Sequence, residues 1–261
     1  MKLYHYTDAA ALKSILEKGQ MWLTDIRYLN DSNEYIEGEK VITNVFHEKA
    51  RARVDATSDE VLRRLETVLK SSSRSYTLIG SFSRGCDLLS QWRGYCPREG
   101  GYSLEFDTPD LKQFGMPLQE CVYEERRKLQ LASSLFDLAC STVASGQRSG
   151  LDRLYLTLWS NIAKFKNAGF SEEDEVRAVI FQTEHKDKVQ FRSRGSQLVP
   201  YLPVSFDLRK LTGIVIGPCG CPSENAESLR RFLRHLAKDP NHGLSGIALP
   251  EVRNSSITFR A

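Results

Sequence analysis

Apolar positions along the chain switch between a period of two and a period near 3.6, which predicts strands interleaved with helices. Residues 3–7 form a short β-type run carrying His5 and Tyr6. Leu12, Ile15 and Leu16 then recur at i, i+3, i+4, predicting a helix that Thr7 or Asp8 can cap and Gly19 can close. Residues 20–24 read as a second strand carrying Trp22, and Asp31 to Glu34 has capping-box spacing for a helix over 33–52. A further helix over 58–70 puts Val61, Leu62, Leu65, Val68 and Leu69 on one face.

The pattern continues with strands over 76–83, 101–107 and 118–123. A short helix or turn over 88–95 carries Trp92 and is stopped by Pro97. Helices are predicted over 124–145 and 150–166, with Gly146 and Gly150 at the break. Strands follow at 175–182, around 189–192, at 199–206 and at 211–217. Leu229, Phe232, Leu233 and Leu236 mark a helix that Ser223 can cap, and a last strand is predicted at 257–260. Unequal helical insertions, about 33–70 and 124–166, favour one mixed α+β domain over 1–261 rather than regular βαβ units.

Composition narrows the function by exclusion. Hydrophobic residues make up 41% and charged residues 26% of the chain, as in soluble domains. No apolar run approaches the ~18 residues of a membrane span, and the start MKLYHYTD has no secretory core, so the expectation is a cytoplasmic protein with no membrane partner. A net charge of +3 is too small to argue for nucleic acid, and the arginine pairs, Arg192/Arg194 among them, read mostly as solvated faces. Six scattered cysteines lack zinc spacing, and Arg51 follows His47 where a zinc ligand would stand, so no metal is expected. G-x-G-x-x-G, P-loop and nucleophile-elbow motifs do not occur.

Three polar clusters can carry chemistry. The first is His5-Tyr6-Thr7 with Trp22, Arg27, Tyr28, Asn30 and Asp31, which are equally readable as caps and packing. The second is Glu173-Asp174-Glu175-Val176-Arg177. Alternation on a strand puts Glu175 and Arg177 on one face, and Glu173 joins them if the strand starts early. Carboxylates at a strand entrance can hold a cationic centre, or Arg177 can simply pair with Glu175. The third is Gln91-Trp92-Arg93-Gly94-Tyr95, where Gln91, Arg93 and Tyr95 can line a pocket above Trp92, or the aromatics can serve as core and turn.

The ordered set LYHYT, WLTDIRYLNDSNE, SFS…LLSQWRGY…GYSLEFD, FSEEDEVRAVIF and the ending SITFR resembles a bacterial domain-of-unknown-function family, number 2971, over residues 3–260. A more distant similarity is to the ADP-ribosyltransferase superfamily. It is carried by the first-strand His, the capped helix with L-x-x-I-L-x-x-G, and the late E-x-E strand. The superfamily resemblance implies a split β-sheet core with helical insertions and NAD as substrate. His5 would match the first-strand NAD contact, Glu175 the late-strand glutamate and Glu173 the acceptor-side carboxylate. Ser81, Ser83 and Tyr95 compete for the middle position, and no Ser-Thr-Ser motif is present.

On that resemblance the expected activity is NAD-dependent transfer of ADP-ribose to a nucleic acid or protein, in a toxin or phage-defence setting. Glu175, Glu173 and His5 would be catalytic. His5, Tyr6, Thr7, Trp22, Arg27, Asn30, Asp31, Arg93 and Tyr95 would hold NAD, with an aromatic ring on the nicotinamide. The pyrophosphate would sit on the helix start after Asp31, on Arg27 or on Arg93. The rival reading is a non-catalytic nucleotide or nucleic-acid sensor using the same pocket.

Overall fold

The computed structural model describes residues 1–29, 34–71, 75–107, 118–146, 148–181 and 188–258. It holds a mixed α and β structure built on one mostly antiparallel sheet. Strand β1 (Lys2–Thr7) leads through helix α1 (Ala9–Lys18) to β2 (Gln20–Asp25). Asp8, not Thr7, caps α1: its side chain accepts from the Ala11 N–H at 2.7 Å, and Gly19 closes the helix at φ 58°. Helices α2 (Glu34–Arg53) and α3 (Ala56–Ser71) precede β3 (Thr77–Ser83), α4 (Leu89–Tyr95), β4 (Tyr102–Asp107) and β5 (Leu118–Glu120). Then come α5 (Glu125–Ser145), α6 (Arg148–Lys164), β6 (Glu175–Phe181), β7 (Gln190–Arg194), β8 (Gln197–Ser205), β9 (Leu211–Ile216), α7 (Pro222–Leu236) and β10 (Glu251–Asn254).

The sheet runs β10-β9-β4-β1-β3-β2-β8-β7, and β6 and β5 branch from β3. The branch has a simple cause. One edge of β3 pairs along its whole length with β6, from Thr77↔Phe181 to Ser83↔Glu175. The other edge is shared. Tyr4 of β1 pairs with Ser83 at one end, while Thr24 and Asp25 of β2 pair with Ile79 and Leu78 at the other. Between these contacts β1 and β2 part, and Gly80 to Phe82 of β3 face the gap.

Period-two alternation decides what lies on each side. Leu3, Leu23, Leu78, Phe82, Leu104, Phe106 and Val176 point to one core, closed by Leu12, Ile15 and Leu16 of α1 and by Ala226, Leu229 and Leu233 of α7. A second core lies among α2, α3, α5 and α6, around Phe46, Leu65, Phe136, Leu158 and Ile162. The predicted helical insertions are therefore one packed helical layer. Two expectations are corrected. Among the described residues the last strand is β10 at Glu251–Asn254, parallel to β9; Ser255 and Ser256 bond Asp87, Ile257 and Thr258 are not in a strand, and residues 259–260 of the expected strand lie outside the described residues. Helix α7 begins with Pro222 at its first turn, so Ser223 lies inside the helix and does not cap it.

Helices α2 and α6 touch backbone to backbone. A Cβ on Gly38 would stand 2.6 Å from the Ile162 carbonyl oxygen. Gly38→Ala gains about 1 kcal/mol of helix propensity, yet forcing the helices apart costs about 1–3 kcal/mol. The expected outcome is a net loss of stability in urea unfolding, and a stabilised variant would contradict this packing.

Candidate functional site

The parting of β1 and β2 opens a cleft of about 360 Å³, within the range of small-molecule sites. His5, Thr7 and Asp8 form one lip, and Trp22 and Thr24 of β2 the other. Gly80 and Ser81 lie at the gap, Tyr28, Gly94 and Tyr95 close one side, and Arg192 and Arg194 of β7 reach the far end.

The His5 ring is fixed by its Nδ1, 2.9 Å from the Ser81 carbonyl oxygen. A carbonyl only accepts, so Nδ1 carries the proton and Nε2 is left as an acceptor. Burial lowers the pKa of His5 and Arg192 lowers it further, against the Ser81 bond, so the ring is neutral at physiological pH. Trp22 stacks on Tyr201 at 4.3 Å with a 33° tilt. Tyr6 also lines the cleft, but its side chain is engaged elsewhere: the hydroxyl donates to the Gly85 carbonyl at 2.8 Å and accepts from the Leu88 N–H, and the ring meets Trp92 edge-on.

Helix α4 is set by Trp92, whose Nε1 donates to Asp87 at 2.7 Å. Its ring rests where a Cβ on Gly217 would come within 2.7 Å, so only glycine leaves room for it. With Trp92 anchored, Tyr95 turns to the cleft and donates its hydroxyl to Glu173 at 3.2 Å. Gln91 is buried, and Arg93 lines a separate cavity with Cys96 and Pro218.

Glu173 and Glu175 belong to a buried cluster beside this wall. Strand β6 starts at Glu175, so Glu173 sits in the preceding 3-10 turn. It still reaches the cluster, because Lys166 Nζ bonds Glu173 at 2.5 Å and Glu175 at 2.7 Å. Arg177 binds both Glu175 oxygens, at 2.9 and 2.8 Å, and donates to the Ala163 carbonyl. All four side chains are buried and their formal charges cancel. Burial alone would raise Glu175, but Arg177 and Lys166 overrule it and hold the carboxyl at about 2. Glu173 is raised instead, chiefly by burial, with Lys166 opposing.

The structure thus gathers His5, Tyr6, Thr7, Trp22 and Tyr95 at one cleft and ties Glu173 to it through Tyr95. Glu175 does not line that cleft. Arg27 is turned aside: Asp25 takes it at 2.8 and 3.0 Å, and it donates to the Ser75 carbonyl. Asn30 and Asp31 lie outside the described residues. Sequence reasoning did not place Thr24, Arg192 and Arg194 at the cleft, nor Tyr201 against Trp22. The alternation Arg192-Ser193-Arg194 on a strand was the available signal, since it aims both guanidinium groups to one face. Among the described residues no three His, Cys, Asp or Glu side chains converge as a metal site, and no helix is long and apolar enough to cross a membrane.

The family described as Protein of unknown function (DUF2971) matches residues 91–178, from within α4 to within β6. That stretch includes Tyr95 and all four members of the ion cluster. Comparison with curated proteins and with solved structures found no match.

The cluster has a pH signature. The folded value of Glu175 lies below the ordinary 4.5, so its contribution to stability is complete above about 4.5 and is lost as pH falls toward 2. Glu173 is shifted upward, so its effect is confined to pH above about 4.5. Glu175→Gln leaves Arg177 and Lys166 with less counter-charge and lowers stability at pH 7 by about 3–5 kcal/mol. Urea unfolding at pH 7 and pH 3 should show a smaller loss at the lower pH, and equal losses would contradict the assignment.

Proposed function

We propose that the cleft between β1 and β2 is a nucleotide site. On this reading the protein is an NAD-dependent enzyme of the ADP-ribosyltransferase type, acting on a nucleic acid or protein acceptor. The observation that carries the proposal is the split in the sheet: two strands joined by α1 diverge on the edge of β3, and a first-strand histidine lines the gap.

The polar groups suit a ribose. His5 Nε2 is an acceptor, and the Tyr95 oxygen, having donated its hydrogen to Glu173, can accept as well. A ribose offers hydroxyl donors to both. Transfer breaks the bond between nicotinamide nitrogen and ribose C1, the electron pair leaving with nicotinamide. The acceptor's nucleophile then forms the new bond to C1 and gives up its proton to water. Positive charge grows on the ribose in between, and acceptors drawing on its hydroxyl hydrogens stabilise that charge, as in glycoside hydrolysis. Glu173 strengthens Tyr95 in this role by accepting its hydroxyl hydrogen. Trp22, stacked on Tyr201 and flanked by the Lys18 and Arg192 cations, gives the cleft an aromatic wall for the nucleotide. A toxin or phage-defence role fits a protein that modifies nucleic acid, and belongs to the same proposal.

One observation favours the rival reading, a nucleotide sensor without turnover. The Glu175 carboxylate is fully engaged by Arg177 and Lys166, and neither glutamate lines the cleft. Nicotinamide release from NAD, measured with and without single-stranded DNA, RNA or cell extract, separates the two. The transferase reading expects release by the wild type and a loss of roughly 100-fold or more in kcat for Tyr95→Phe and Glu173→Gln. His5→Ala should weaken NAD binding as well. NAD binding by a wild type that releases no nicotinamide with any acceptor would establish the sensor and overturn the transferase.

A further inference from the structure

The far end of the cleft holds a guanidinium in an unusual setting. Strands β7 and β8 form a hairpin closed through Gly195, whose φ of 57° suits the tight turn. Arg192 and Arg194 alternate along β7 and share a face. The Arg192 guanidinium lies 5.5 Å from the Trp22 ring centre and 6.0 Å from that of Tyr201. Its Nη2 donates to Thr24 Oγ1 at 3.0 Å, which fixes the plane of the group.

Among the described residues Arg192 has no anion within ion-pair distance. The buried or half-buried arginines Arg27, Arg84, Arg177 and Arg253 each hold a carboxylate within ion-pair distance. Among the described residues, neither Arg192 nor Arg194 has an ion-pair partner. Burial lowers the Arg192 pKa and Arg194 lowers it further, with Asp8 and Tyr201 only partly offsetting them. A half-buried cation of this kind is stabilised by any anion that docks on it, and a fixed guanidinium edge matches two phosphate oxygens.

We propose that Arg192, oriented by Thr24 and laid on Trp22 and Tyr201, is the phosphoryl-binding subsite of the cleft, with Arg194 as a second, more exposed cation. This rests on the nucleotide reading and extends it. The ligand class becomes a phosphorylated nucleotide, with its phosphoryl group at the β7 end and its sugar toward His5 and Tyr95. It also moves the phosphate contact away from Arg27, which Asp25 occupies.

Calorimetry with NAD, ADP, adenosine, inorganic pyrophosphate and a short single-stranded oligodeoxynucleotide tests the assignment. Wild type should bind ADP and pyrophosphate in competition with each other and more tightly than adenosine, with affinity falling as salt rises. Arg192→Gln should weaken ADP and pyrophosphate tenfold or more and leave adenosine within twofold. Arg194→Gln should have a smaller effect. Thr24→Val, which removes only the orienting hydroxyl, should cost several-fold and decides the matter if Arg192→Gln does not fold. Equal wild-type affinity for ADP and adenosine, or ADP binding unchanged in Arg192→Gln or in a folded Thr24→Val, overturns the subsite. Binding of the oligonucleotide alone overturns the nucleotide class, since the phosphate would then be an acceptor's. The two proposals fail separately. NAD cleavage with Arg192→Gln retaining NAD affinity removes the subsite only. Loss of ADP binding in Arg192→Gln, with no NAD cleavage by wild type, removes the transferase only.

Discussion

Strand β3 has one free edge after β6 has taken the other, and two strands compete for it. Strand β1 holds the Ser83 end and β2 the Leu78–Ile79 end, so neither runs along the middle. A sheet edge left open at its centre exposes backbone groups, and a buried polar backbone group needs a partner. His5 meets part of that need by donating to the Ser81 carbonyl. The same contact selects the tautomer that leaves Nε2 as an acceptor. The strand divergence that opens the cleft therefore also sets the chemistry of the residue at its lip.

The second constraint is electrostatic. Lys166, Glu173, Glu175 and Arg177 bury two positive and two negative charges against β6, and each is tolerable only because the others are present. Their arrangement fixes the end of β6 and the turn before it, where Arg84 also clamps Asp174. Tyr95 connects this rigid block to the cleft through Glu173. A side chain supported in this way is held in one orientation, as the proposed contact with a ribose hydroxyl requires.

Local signals in the sequence were readable in proportion to how local their causes are. Helix α1 was legible because its cap, its apolar spacing and Gly19 all lie within a dozen residues. The shared face of Glu175 and Arg177 was legible for the same reason, as strand alternation needs no partner. Lys166 was not, because its position depends on how the chain leaves α6 and returns through a 3-10 turn. Strand β10 was not legible because its pairing with β9 is parallel and non-local, and the chain after it is held by Asp87 at Ser255 and Ser256. Arg27 looked available, although Asp25 two residues earlier was the clue that it is not. Arg192 was passed over because the absence of an ion-pair partner is a property of the folded surroundings and not of the residues beside it.

The central claim is that the split between β1 and β2 is where a nucleotide enters. Backbone hydrogen exchange, followed by mass spectrometry with and without saturating NAD, tests it without any substitution. The account predicts added protection confined to residues 3–8, 20–25, 79–81, 94–95 and 190–194, with the helical layer unchanged. Unchanged exchange throughout, or protection centred on the Arg93–Cys96–Pro218 cavity or on the helical layer, would contradict it.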